Sequence, residues 1–188
     1  MIGFLANGAV ITLSLSAPIV LTAATGLDAK VVGAIVSIGG IIGAVMLLLF
    51  GWAADRRGDR LWYAMICAAL VAGSCAVLAV ATQPAIAIAA YLEFAGACFS
   101  LSMLMTTSWT DVLHPRELAV GLAASNTVSQ VGAFAKPYLR GRAKDETGSY
   151  HVGLVGLVVA SLLSIVLIVM VRTKVHSRRR QRILAVVA

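Results

Sequence analysis

Long uninterrupted apolar runs are the feature that most limits what this chain can become. A hydrocarbon core about 30 Å thick is crossed by about 20 helical residues at 1.5 Å each. Six runs of that length can be read, at about Gly3 to Thr25, Ala29 to Ala53, Leu61 to Thr82, Pro84 to Thr107, Leu118 to Leu139 and Tyr150 to Val171. The breaks between them have local causes. Gly26 suits a left-handed cap, and Asp28 can accept from the first free N–H groups of the next helix. Gln83-Pro84 and His114-Pro115 stop a helix because the residue before proline is pushed out of the helical region. No connection is long enough to hold a soluble domain.

Composition agrees. With 60% hydrophobic residues, 12% charged residues and a mean hydropathy of +0.95, too few polar side chains exist to clothe a water-soluble surface. The expected fold is therefore an all-α membrane protein with a transmembrane domain over residues 1–171 and a basic tail over 172–188. That domain divides into units of three helices, about 1–82 and 84–171. The division is supported by a repeated frame, G-x-A-x-D-x-x-G, at Gly51 to Gly58 and again at Gly141 to Gly148. Each copy ends one apolar run and precedes another. An odd number of crossings per unit turns the second unit upside down, giving two inverted three-helix repeats.

Orientation follows the basic residues, which cytoplasmic loops retain. With the N-terminus inside, the cytoplasmic segments carry Arg56, Arg57, Arg60, Arg116, Arg172, Lys174, Arg178, Arg179, Arg180 and Arg182, against Lys30, Arg140, Arg142 and Lys144 outside. Ten against four places both termini in the cytoplasm, with the chain in the plasma or inner membrane. The formal charge of +7 comes largely from the tail, which is suited to anionic lipid headgroups. No aromatic residues are interleaved with these charges, so nucleic acid is not expected as a partner.

Enzyme chemistry is not expected. The sequence shows no nucleophile paired with a base, no paired carboxylates at useful spacing and no metal-ligand set, and it implies no cofactor. Cys67, Cys75 and Cys98 read as small apolar fillers, and His114, His151 and His176 fall in different connections. Met1 opens directly into an apolar run without the positive charge that a signal peptide carries.

Polar residues are unevenly spread over the six spans. The first carries Asn7, Ser14 and Pro18 near one face, and the fourth repeats Glu93, Ser100 and Thr107 every seven residues. The fifth places Ser125, Ser129, Gly132 and Lys136 on one stripe, beside Asn126, Gln130 and Pro137. The second holds Gly33, Gly39, Gly40 and Gly43, and the spacing of Gly39 and Gly43 admits another helix at short range. The third and sixth spans suit lipid-facing support. Glu93 and Lys136 are the ionisable residues well inside spans, where a charge costs about 2.5 to 3.5 kcal/mol on the translocon insertion scale. Glu93 could carry a coupling proton or neutralise Lys136, whereas Lys136 could attract an anion or snorkel to the outer surface.

Two motifs carry a resemblance. The run from Gly51 through Asp55, Arg56 and Gly58 to Arg60 resembles the G-x-x-x-D-R-x-G-x-R loop of the major facilitator superfamily, in its C-terminal-half version. The stretch from Gly121 through Asn126, Gln130, Gly132 and Phe134 to Pro137-Tyr138-Leu139, then Gly141, Lys144-Asp145 and Thr147 to Tyr150, looks like the eleventh helix and following loop of the anion:cation symporter family. Lys136, Arg140 and Arg142 depart from that family's pattern.

The resemblance implies that the spans correspond to helices seven to twelve of a twelve-helix symporter. Such proteins move small organic anions, including tartrate, phthalate and sugar acids, typically with protons, by rocking two six-helix halves. It further implies a substrate pathway past Asn7, Ser14, Glu93, Ser100, Asn126 and Gln130. Gly51, Asp55, Arg56, Gly58 and Arg60 would form a gating loop, and the second and fifth spans would meet the other half, a separate chain or a second copy of this one. The alternative is a truncated or non-transporting membrane protein whose polar stripes dock another subunit.

Overall fold

The computed structural model describes residues 21–22, 25–112, 115–147, 158–159 and 161–173. Regular structure among them is helical: α1 (Ala29–Arg57), α2 (Arg60–Val80), α3 (Pro84–Val112), α4 (Pro115–Thr147) and α5 (Ser161–Thr173). Most of the first expected span, and the start of the sixth, lie outside the described residues. The expected starts are met by local chemistry. Gly26 takes a φ of 67° and Asp28 caps α1 by accepting from Ala29 N, while Pro84 opens α3. At the first helical position proline's missing N–H is not needed.

The helix ends differ from the expected spans, which stop near the edge of the hydrocarbon. α1 runs on to Arg57, α3 to Val112 and α4 to Thr147. The first copy of the repeated frame therefore forms the last turns of α1; in the second copy Gly141 to Thr147 belong to α4, and Gly148 lies outside the described residues. α1, α2 and α3 are long and apolar enough to cross a bilayer, and α5 is a shorter apolar helix.

α3 is the centre of the fold. It shares long seams with α1 and with α2, whereas α1 and α2 touch each other little and α4 meets α3 over a short stretch. The seam with α2 is written in small residues. On α2, Leu61, Ala64, Ala68, Val71, Cys75 and Leu78 are buried at alternating steps of three and four; on α3, Ala87, Ala90, Phe94, Ala97, Leu101, Leu104 and Ser108 follow the same rhythm. A 3.5-residue period keeps one face of each rod on the seam, and alanine lets their backbones approach.

The seam with α1 works through glycine. A Cβ at Gly39 would lie 3.0 Å from the Tyr91 ring, one at Gly43 2.6 Å from the Phe99 ring and one at Gly51 3.3 Å from Met103 Cε. In return, Met46 of α1 occupies the space beside Gly96 of α3. The close approach expected at Gly39 and Gly43 is thus made by α3, in this chain. The opposite face of α1, with Ile38, Ile41, Val45, Leu48, Leu49 and Trp52, is exposed. Contacts advance together along both helices, so α1 and α3 run parallel and end at the same face of the protein.

Candidate functional site at the α1–α2 turn

Two residues reverse the chain between α1 and α2. Gly58 takes a φ of 68° and donates its N–H to the Ala54 carbonyl at 2.9 Å, which closes α1 in a left-handed cap. Asp59 follows and caps α2, its Oδ1 accepting from Trp62 N at 3.1 Å. A reversal this tight brings Asp55, on the last turn of α1, opposite Arg60, the first residue of α2.

Arg60 joins three helices. Its Nε and Nη2 both approach Asp55 Oδ1 at 2.9 Å, while Nη1 donates to the Thr107 carbonyl at 3.2 Å and to Thr110 Oγ1 at 3.0 Å. Thr107 and Thr110 lie in the last described turns of α3, and the Thr107 carbonyl also accepts from Thr110 Oγ1 at 2.7 Å. The Asp55 side chain is 59% exposed and that of Arg60 27%, so water screens the pair. Its worth is at most about 1 kcal/mol, enough to bias a conformational equilibrium and too little to hold a fold.

The other expected gating residues have separate tasks. Gly51 is buried against Met103. Arg56, expected in the gating loop, lays its guanidinium 5.2 Å from the centroid of the Trp52 ring. Trp52 and Arg56 are one helical turn apart on an exposed face, so stacking is the nearest favourable contact. Thr107 and Thr110 were not expected as acceptors, and no contact was expected of Asp59, Trp62 or Arg172, which also meet here. A local signal for Asp59 existed, since aspartate before an apolar run is a cap; Arg172, much farther along the chain, offered none.

The expected substrate pathway is spread out. Glu93 is exposed on α3. Ser100, two turns further on the same stripe, is fully buried and donates to the Gly96 carbonyl at 2.8 Å. Thr107 donates in the same way to Met103 O at 3.0 Å. Asn126 and Gln130 are exposed on α4, beside a buried Ser129 that donates to Ser125 O at 2.7 Å. Among the described residues, no hydrogen bond or ion pair joins Glu93, Ser100, Asn126 and Gln130. Asn7, Ser14 and the Lys136 side chain lie outside the described residues. Among the described residues no three His, Cys, Asp or Glu side chains gather as a metal site.

Two proteins of Agrobacterium vitis that carry a tartrate-transporter name are each 32% identical, over 76% and 79% of this chain and 32% and 34% of their own lengths. A protein of Acinetobacter baumannii named as a quinolone resistance transporter is 28% identical over 81% of this chain and 35% of its own. The chain thus spans about a third of the length of the curated relatives it matches. The sequence profile of the Major Facilitator Superfamily matches residues 1–137, which takes in the α1–α2 turn, the whole of α3 and most of α4. With apolar helices of spanning length, a charged turn between two of them and a profile that covers most of its residues, the chain belongs to the major facilitator superfamily of membrane transporters.

Proposed function

We propose that this chain provides the six C-terminal helices of a twelve-helix secondary transporter of the anion:cation symporter type. It works with a second six-helix half, either a separate chain or another copy of itself. The cargo is a small organic anion, a carboxylate or sugar acid, moved together with a proton across the plasma or inner membrane, with both termini in the cytoplasm. The observation that carries this reading is Arg60. A guanidinium that ties the α1–α2 turn to the end of α3 through a half-wet ion pair can be made and broken at low cost, as a gating loop requires. The substrate class rests on the tartrate-named relatives.

Glu93 supports the proton. A carboxylate exposed part-way along an apolar span is costly against lipid, so its face belongs toward water or toward the other half. Asn126 and Gln130 argue the same for one face of α4. The quinolone-named relative supplies a second reading, export of an aromatic acid, which the same assay separates.

The test is uptake of radiolabelled tartrate into vesicles that hold this chain with a partner half under an inward proton gradient. Accumulation competed by other aliphatic carboxylates supports the proposal. Competition by a quinolone alone favours the second reading. No movement of either, by intact and correctly inserted protein, refutes transport and leaves a subunit-docking role.

A further inference from the structure

Asp55 and Asp59 flank Gly58, and each is paired with a different arginine. Asp55 takes Arg60 from the neighbouring turn. Asp59 takes Arg172 from the last turn of α5, 113 positions along the chain, with Nη2 donating to Oδ2 at 2.8 Å. The same guanidinium lies 5.1 Å from the centroid of the Trp62 ring. The repeated frame and the loop signature give no role to Asp59, Trp62 or Arg172.

Three properties suit this group to open and close. Asp59 divides its oxygens: Oδ1 caps α2 while Oδ2 holds Arg172, so the arginine can leave without unwinding the start of α2. The side chains of Arg172 and Asp59 are 32% and 26% exposed, so water can replace either partner as it leaves. Trp62 is itself 41% exposed, an amphipathic ring at a helix start that can face the guanidinium or the membrane interface. A pair this wet shifts an equilibrium by about fivefold at most, the right size for a bias between two conformers.

We propose that Asp59, Trp62 and Arg172 form a detachable clasp that holds the end of α5 on the start of α2, and that its release is one of the movements by which this face of the protein opens. The clasp is distinct from the Asp55–Arg60 pair. It rests on the transporter reading only for the purpose of that opening, because its two states are observable without transport.

The experiment uses the full chain in lipid nanodiscs, with Cys67, Cys75 and Cys98 replaced by alanine and spin labels on Arg57→Cys and Thr173→Cys, which leave the clasp intact. Electron paramagnetic resonance distances are expected to show two populations. Asp59→Asn, which keeps a capping oxygen, moves the ratio about two- to fivefold toward the longer distance. Arg172→Gln moves it in the same direction, and adding Asp59→Asn to that variant moves it no further. A second measurement needs no change to the clasp. Raising salt from 0.1 to 1 M shortens the screening length from about 10 to about 3 Å and shifts the populations in the same direction as Asp59→Asn. A single distance that neither Asp59→Asn nor salt alters overturns the proposal, as do Asp59→Asn and Arg172→Gln shifts that simply add. Two populations in a protein that moves no anion would sink the transport reading and leave the clasp standing. Uptake by a protein with one unvarying distance would do the reverse.

Discussion

Gly40 and Gly43 lie less than one turn apart on α1, and replacing each with alanine tests how tightly α1 and α3 are joined. A Cβ at Gly43 would sit 2.6 Å from Phe99 Cδ2, 3.2 Å from Cε2 and 3.4 Å from Cγ, whereas one at Gly40 meets nothing within 4 Å. Both substitutions bring the same gain in helix propensity, about 1 kcal/mol in soluble hosts, so the difference between them isolates the ring contact. Carbon atoms rest about 3.5 to 4.0 Å apart, which means the Phe99 ring must retreat by about 1 Å. Overpacking of this kind costs about 1 to 3 kcal/mol. Phe99 is 39% exposed and has somewhere to swing, so the lower part of that range applies. Gly43→Ala is therefore expected to be about 1 to 2 kcal/mol less stable than Gly40→Ala, measured as equilibrium unfolding in mixed micelles by loss of helical circular dichroism. Adding Phe99→Ala should remove most of the difference, since the two sites share one contact. Equal stabilities for the two glycine variants, within about 0.5 kcal/mol, would show that the seam is looser than its geometry.

Other substitutions address the turn and the topology. Gly58→Ala meets no neighbour, so its cost is backbone strain alone at a φ of 68°, about 1 to 2 kcal/mol, with Gly58→Asn losing less; equal stability of glycine and alanine proteins in the same unfolding assay would contradict the left-handed cap. Arg60→Ala removes bonds to Asp55 and to α3 together, and Asp55→Ala only the first, so the arginine variant should lose about 1 kcal/mol more stability; matching losses would mean that Arg60 does not brace α3. Cysteines at Gly58 and Gly148 should react with a membrane-impermeant maleimide from opposite faces, and labelling from one face would end the inverted-repeat reading. Glu93→Gln should make tartrate uptake independent of the proton gradient, and an unchanged pH profile would return Glu93 to a packing role.

What the sequence made legible was local, and what it hid was either long-range or encoded in size. Gly26, Asp28 and Pro84 act on the few residues beside them, and the structure uses each as expected. The far ends of helices were less readable because the expected spans were bounded by bilayer thickness, while backbone hydrogen bonding continues until a residue ends it. α1 continues past Ala53 to the first glycine that can turn left-handed, Gly58. The α2–α3 seam escaped for a different reason. In a soluble helix an apolar stripe stands out against polar neighbours, but α2 beyond Arg60 is apolar except for Ser74, and α3 before Ser100 except for Glu93, so polarity carries little phase. Phase is carried by volume instead, by Ala64 and Ala68 four apart on α2 and by Ala87, Ala90 and Ala97 three and then seven apart on α3. Ser100 shows the limit of reading polar stripes as surfaces: its hydroxyl is satisfied by Gly96 O of its own helix and can sit inside the bundle without a partner from elsewhere. Glu93, on the same stripe, has no such local remedy, and its exposure on α3 is therefore the stronger mark of a face that waits for water or another half.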